Sequence, residues 1–226
     1  MISYFYSMSL ILSLLFSCLP QNSFAEEKPT QMKSASWQSK AQQRMSARFE
    51  QAGVAWPPLK IALLALKQSR KLELRASTHG RWHLIHTYPI LGASGTAGPK
   101  LRQGDKQVPE GAYRVLWLNP KSRYHLSMKL DYPNADDRRH AREEGRNNPG
   151  GDIFIHGKDV SIGCIAIGDP AIEELYTLVQ RTGVEKVSVY IAPTDPRQRP
   201  LSAPPQAPAW LDARYQQLNE VFRQFR

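Results

Sequence analysis

Asp152-Ile153-Phe154-Ile155-His156-Gly157-Lys158-Asp159-Val160-Ser161-Ile162-Gly163-Cys164 is the segment on which the reading of this 226-residue chain turns. Two strand-like runs, Asp152–His156 and Ser161–Ile167, flank the turn-capable Gly157-Lys158-Asp159-Val160, so they can fold back as neighbours. Such a reversal brings His156 to face the region of Cys164, eight residues further along. A thiol with its ordinary pKa of about 8.5 is only a few per cent thiolate at neutral pH. An imidazole within hydrogen-bond reach can take its proton or hold the thiolate as an ion pair. Gly163 would let a substrate approach the backbone, where N–H groups could receive the oxyanion of a tetrahedral intermediate. A packed core would use similar residues, because Ile162, Ile165 and Ile167 surround a commonly buried residue type and His156 ends an apolar run. A zinc site would need two ligands besides Cys164 and His156, and nothing in the spacing of Asp152 and Asp159 calls for one. No metal or cofactor is expected.

Outward from this segment the chain is rich in short strands bounded by turn residues: Leu59–Lys67, Lys71–Ala76, Trp82–Pro89, Ala112–Leu118, Tyr124–Leu130 and Lys186–Ile191. One prominent helix follows Cys164, with Asp169 expected as N-cap, Pro170 at the first turn, and Ile172, Leu175, Tyr176 and Val179 at helical spacing up to Gly183. The fold class expected is mainly β with helices, α+β, built on a sandwich or barrel-like sheet. Ser36–Ala52 reads as a helix with Trp37, Ala41, Met45, Arg48, Phe49 and Ala52 roughly on one face. Residues 193–208 hold six prolines and read as an extended tail, followed by an amphipathic stretch, Trp210–Phe225. The segment from Tyr132 to Gly151 reads as a long basic loop.

The N-terminus carries no charge before Glu26. The apolar run Leu10–Phe16, then Ser23-Phe24-Ala25, has the form of a secretory signal cut after Ala25, although no Lys or Arg stands near Met1. An uncleaved anchor, or lipidation at Cys18, are the alternatives. Cleavage would leave Cys164 as the single cysteine, in an oxidising compartment where a spare thiol is either inert core or a nucleophile. The organisation expected is therefore residues 1–25 signal peptide, 26–58 polar segment and N-terminal helical extension, 59–193 catalytic domain, and 194–226 tail and C-terminal helix. With 30 Lys and Arg against 20 Asp and Glu, the net charge is +10. That balance suits substrates bearing carboxylates. Nucleic acid is a poor partner for an exported chain whose aromatics are not interleaved with a basic stripe.

His156-Gly157 followed by Ser161-Ile162-Gly163-Cys164 resembles the YkuD family, the L,D-transpeptidases of bacterial cell walls. A second likeness lies upstream, in Gly98-Pro99-Lys100-Leu101-Arg102-Gln103-Gly104-Asp105 and Val108-Pro109-Glu110-Gly111-Ala112-Tyr113. The chain departs from the main family pattern in two ways. Ile162 stands where a second His is usual, and the first His lies eight rather than about eighteen residues before Cys. Both departures, with Tyr132-Pro133-Asn134-Ala135, look like the YafK-type branch.

The resemblance implies Cys164 as nucleophile and His156 as base, supported by the backbone at Gly163, Ser161 and Gly157. A backbone carbonyl at Ser161 or Gly157 would orient the imidazole. It implies attack on the meso-diaminopimelate carbonyl of a peptidoglycan stem peptide, in the periplasm of a Gram-negative bacterium. The thioester would pass to an amine, in cross-linking or protein attachment, or to water, as in release of a murein-bound lipoprotein. A non-catalytic basic murein-binding module is the alternative of another class. Membrane contact is expected only through the N-terminal segment. Lys100, Arg102, Arg138, Arg139, Arg146 and Tyr113 are the candidates for holding substrate, the arginines through bidentate carboxylate contacts.

Overall fold

Six consecutive apolar residues, Ile61–Leu66, form β1, and all six are buried. Alternate side chains of a strand point to opposite faces. Ile61, Leu63 and Ala65 enter one hydrophobic core, and Ala62, Leu64 and Leu66 enter a second. A strand buried on both sides needs cover on both faces of its sheet, and that requirement organises the molecule.

The computed structural model describes Met1 and residues 36–226, so the expected signal peptide, with Cys18, lies outside the described residues. The strands are β1, β2 (Lys71–Thr78), β3 (Arg81–Pro89), β4 (Gly111–Ser122), β5 (His125–Leu130), β6 (Phe154–His156), β7 (Ile165–Ala166) and β8 (Val187–Ala192). They make an eight-stranded mixed sheet in the order β3-β2-β1-β8-β4-β5-β6-β7. β4 serves both halves. Gly111–Arg114 pair with β8, and residues from Val115 onward pair with β5, with a register break between Val115 and Trp117. The helices are α1 (Ser36–Gln51), α2 (Ala135–Glu143), α3 (Asp169–Thr182) and α4 (Leu211–Arg223). With this sheet they give the α+β class expected.

α1 and α3 share the first core. Met45 and Phe49 of α1 are fully buried, as are Ile172, Leu175 and Val179 of α3. Charged pairs join the two helices, because Glu174 of α3 accepts from Arg44 Nε at 2.6 Å, Arg48 Nε at 3.1 Å and Tyr88 Oη at 2.8 Å. The helical extension is therefore part of the body of the protein. α4 covers the opposite face with Leu211, Tyr215, Leu218 and Phe222. The proline-rich approach to it is pinned as well. Arg197 reaches Glu73 at 2.7 Å and Asp195 at 2.8 Å, and Leu201 N–H donates to Asn219 Oδ1 at 2.8 Å.

Three local expectations are corrected. The segment after Tyr132 contains α2 rather than only a basic loop. Asn134 caps it by accepting from the Asp136 and Asp137 N–H groups, and Asp137 accepts from the Asn134 N–H in return. That is a capping box. Asp169 is the first residue of α3 and not its cap, which is Gly168 at φ 84°. Its carboxylate accepts from the Lys158 N–H at 2.8 Å, so it braces the turn after His156-Gly157. Finally, the strands around the site are shorter than the apolar runs. Asp152 at φ 55° and Gly163 at φ 111° are in left-handed conformations outside strand geometry.

Candidate active site

β6 and β7 are neighbours, but they run parallel, Ile155 opposite Ile165 and His156 opposite Ala166. A hairpin would have made them antiparallel. Instead residues 157–164 bring the chain back to the start of β6 before it sets out again. Cys164 immediately precedes β7, and its Sγ meets the backbone at the start of β6 through the Asp152 carbonyl, while His156 ends that strand.

Cys164 is half-buried and free. Its Sγ lies 3.5 Å from the Asp152 carbonyl oxygen as donor. Burial pushes the thiol above its ordinary pKa, more than the Phe154 N–H, Lys129 and Lys100 lower it, and Asp152 adds to the rise. The Ser161 hydroxyl binds the backbone of Cys164 twice, accepting from its N–H at 2.8 Å and donating to its carbonyl oxygen at 2.7 Å. Ser161 therefore shapes the turn through its side chain and occupies the Cys164 N–H. Among the described residues the neighbouring Gly163 N–H has no hydrogen-bond partner.

His156 is buried, with the Tyr124 ring 4.5 Å from its own. Its Nδ1 lies 2.6 Å from the Gly157 carbonyl oxygen. A carbonyl only accepts, so Nδ1 carries the proton and Nε2 is the basic atom. Of the two carbonyls considered for orienting the ring, Gly157 makes the contact. Burial holds the imidazole below its ordinary pKa, against the raising effect of this hydrogen bond. At neutral pH the resting pair is then a neutral imidazole and a thiol, the state in which His156 can act as a base. No direct hydrogen bond joins the two side chains among the described residues.

Gly157 is required by space. A Cβ there would lie 2.6 Å from both the Tyr124 carbonyl oxygen and Asp169 Oδ1. Gly157→Ala is expected to destabilise the protein by about 1–3 kcal/mol, because the backbone must yield. A lower urea midpoint, together with weakened Cys164 reactivity, is the measurement that checks it.

The residues proposed from sequence to hold substrate are placed variously. Lys100 is buried and committed, its Nζ donating to Arg102 O at 2.9 Å and pairing with Asp105. Arg146 donates to Leu101 O at 2.6 Å and pairs with Glu144, which ties two loops together. Arg139 pairs with Asp136 and Glu143 on α2 itself, and Arg138 bonds the Pro133 carbonyl. Arg102 is exposed, and its Nε and Nη groups have no recorded partner among the described residues. Tyr113 is corrected to a core residue. It is buried against Tyr132, and its hydroxyl donates to Glu110 O at 3.2 Å. Among the described residues no group of three or more His, Cys, Asp and Glu is arranged to hold a metal ion.

A row of side chains without a sequence signal of its own lies beside the thiol. Trp117, Lys129 and Phe154 lie opposite one another on β4, β5 and β6. The Trp117 and Phe154 rings are 5.8 Å apart, and Lys129 Nζ is 5.2 Å from the Phe154 ring. A single lysine in His125-Leu126-Ser127-Met128-Lys129-Leu130 looks like ordinary strand alternation, and only the pairing of β5 with β6 reveals its neighbour.

A family model described as YkuD, the L,D-transpeptidase catalytic domain, matches residues 66–191. The Escherichia coli K12 protein named "Putative L,D-transpeptidase YafK" is 40% identical over 115 residues, 50% of this chain and 44% of that protein. Its counterpart in strain O157:H7 matches equally. The chain thus spans less than half the length of these curated relatives. Among solved structures, the helical cell shape determining protein Pgp2 of Campylobacter jejuni aligns with a TM-score of 0.47 at 16% identity, covering 80% of this chain and 76% of that one. Mycobacterium tuberculosis L,D-transpeptidase 1 aligns at 0.34 and 11% identity, covering 59% and 62%.

Proposed function

The chain belongs to the YkuD family of L,D-transpeptidase catalytic domains, and from that premise we propose that it is an exported cysteine acyltransferase acting on peptidoglycan stem peptides. One observation carries the reading. His156 ends β6, Cys164 immediately precedes the parallel β7 with its Sγ at the start of β6, and the Gly157 carbonyl leaves Nε2 as the basic nitrogen.

His156 Nε2 removes the Cys164 proton as the sulfur attacks the carbonyl of meso-diaminopimelate. The Gly163 N–H receives the developing oxyanion, an interaction worth about 3–4 kcal/mol where single donors have been removed elsewhere. The imidazolium returns its proton to the departing amine, and the acyl group remains on sulfur as a thioester. An incoming amine, deprotonated by the same imidazole, takes the acyl group and restores the thiol. Residues 1–25, with their apolar run and small residues before Glu26, support export to the periplasm.

Incubation with purified muropeptides and mass spectrometry of the products tests the proposal. Cross-linked dimers, or a stem joined to an added amine, are the expected products. Products formed with water alone would make the enzyme a hydrolase using the same thiol, for which a murein-linked lipoprotein is a candidate substrate. Cys164→Ala is expected to abolish either outcome while leaving the unfolding midpoint near that of the parent. Turnover that survives this substitution would exclude the thiol mechanism.

A further inference from the structure

The least satisfied cation beside the nucleophile is Lys129. Its side chain is only 12% exposed. Buried charges ordinarily gain a close partner in exchange. Among the described residues Lys129, with three N–H donors, has two marginal oxygen contacts, the Tyr132 carbonyl at 3.5 Å and Asp152 Oδ1 at 3.7 Å, besides the face of the Phe154 ring. The Asp152 side chain is itself 91% exposed and turned to solvent. Lys100, the other cation acting on the Cys164 thiol, differs sharply in this respect, being fully engaged with Asp105 and Arg102.

Contact with one shared residue sets the location. Lys129 pairs with Phe154, its Nζ lies 3.7 Å from Asp152 Oδ1, and the Cys164 Sγ lies 3.5 Å from the carbonyl oxygen of that same Asp152. Trp117 and Phe154 flank the lysine with apolar faces, and Trp117 is about half exposed. The whole is a half-dry, cation-centred subsite at the edge of the nucleophile.

We propose that Lys129, flanked by Trp117 and Phe154, receives a substrate carboxylate that stands within a few bonds of the carbonyl attacked by Cys164. This deepens the proposed function and rests on it for the kind of substrate. Two carboxylates of a stem tetrapeptide qualify, the C-terminal one on the residue released and the free one on the diaminopimelate side chain. Lys129 is then a specificity residue that aligns the scissile bond and discriminates against amidated stems.

Equilibrium binding to Cys164→Ala protein, which needs no chemistry, tests the subsite. The ligands are the free-acid tetrapeptide, its C-terminal amide, and the form amidated on diaminopimelate. One of the two amides is expected to bind about tenfold more weakly or worse, the scale of a lost hydrogen bond to a charged group, and its identity names the carboxylate. Adding Lys129→Met, which keeps the apolar stem against Phe154, should remove that preference, and Lys129→Arg should retain part of it. Equal binding of all three peptides to the Lys129 protein, or an equal loss for all three on substitution, would overturn the proposal.

Alkylation of the otherwise native protein gives a second readout. Iodoacetate carries a carboxylate on the attacked carbon, and iodoacetamide is its neutral counterpart. Lys129→Met should lower the iodoacetate rate relative to iodoacetamide. An equal drop with both reagents would mean that Lys129 only supports the thiolate, and the carboxylate site would be withdrawn. Failure of either reagent to modify Cys164 in any variant would count against the thiol mechanism, while the binding series still decides the role of Lys129.

Discussion

His156→Ala is expected to slow acyl transfer by about two to four orders of magnitude, the range associated with loss of a positioned general base. The fold should survive, because the ring sits at a strand end and its polar contact is to the adjacent Gly157 carbonyl. The pH profile is the sharper readout. Burial holds His156 below its ordinary value and pushes Cys164 above its own. Activity needs a neutral imidazole, so it should fall on the acid side as His156 protonates, and persist further into acid than for a free imidazole of pKa about 6.5. His156→Ala should erase that acid limb. The remaining rate should then climb with pH toward the ionisation of the thiol itself.

Linkage fixes a companion effect on stability. A depressed folded-state pKa means that the unfolded chain binds the proton more readily, so this contribution is present above about pH 6.5 and lost as the pH falls through the folded value. Denaturant midpoints measured across that interval, for the parent and His156→Ala, should diverge above it and converge below. A profile with the same acid limb in both proteins would assign that limb to another group.

How far the sequence specified this arrangement depended on whether a feature was local. β1 and α3 were readable because the signal is carried within each segment, an unbroken apolar run in one and a helical apolar period in the other. His156, Gly157, Ser161, Gly163 and Cys164 stood out because a thiol and an imidazole near a turn are chemically unusual together. The parallel pairing of β6 with β7 was not readable, because residues 157–164 are compatible with a hairpin and only the tertiary path excludes it. Lys129 was hidden for a similar reason. Its significance lies in what β6 places beside it, and a lone strand lysine signals nothing. α2 had a local signal, Asn134 three residues ahead of Asp137, which the density of arginines obscured. The N-terminal and C-terminal segments were separated from the domain on composition, but composition does not record docking. Met45 and Phe49 in one core and Phe222 and Phe225 in the other make both segments part of the packed body.

That last point leads to the largest stability effect expected. Arg214 of α4 lies outside the family-matched residues 66–191, yet it holds Asp137 at 2.8 Å and Asp136 at 2.8 Å and donates to Glu110 O at 3.2 Å. Its guanidinium is 4.6 Å from the Trp210 ring, and Trp210 in turn stacks on His140 and donates to Glu144 Oε1 at 2.9 Å. α4 thus grips α2 at both ends. The chain leaving α2 carries Arg146, which bonds Leu101, and Asp152, whose carbonyl receives the Cys164 thiol.

Arg214→Met removes the cation and leaves Asp137, whose side chain is 5% exposed, without its charged partner. Burial already pushes that carboxyl above its ordinary range despite Arg214. The expected cost is about 3–5 kcal/mol, the size found when one member of a buried pair is removed. Adding Asp137→Asn should recover much of it, since the amide oxygen can still accept the Asn134 N–H without an unpaired charge. Urea denaturation of the two single variants and the double variant measures the coupling directly. If Arg214→Met unfolds at the same urea concentration as the parent, the ion pair contributes nothing net, and the apolar contacts of Leu211, Leu218 and Phe222 alone hold α4. If it unfolds early and the double variant does not, the C-terminal helix is tied through one buried charge pair to the helix that leads into the surroundings of Cys164.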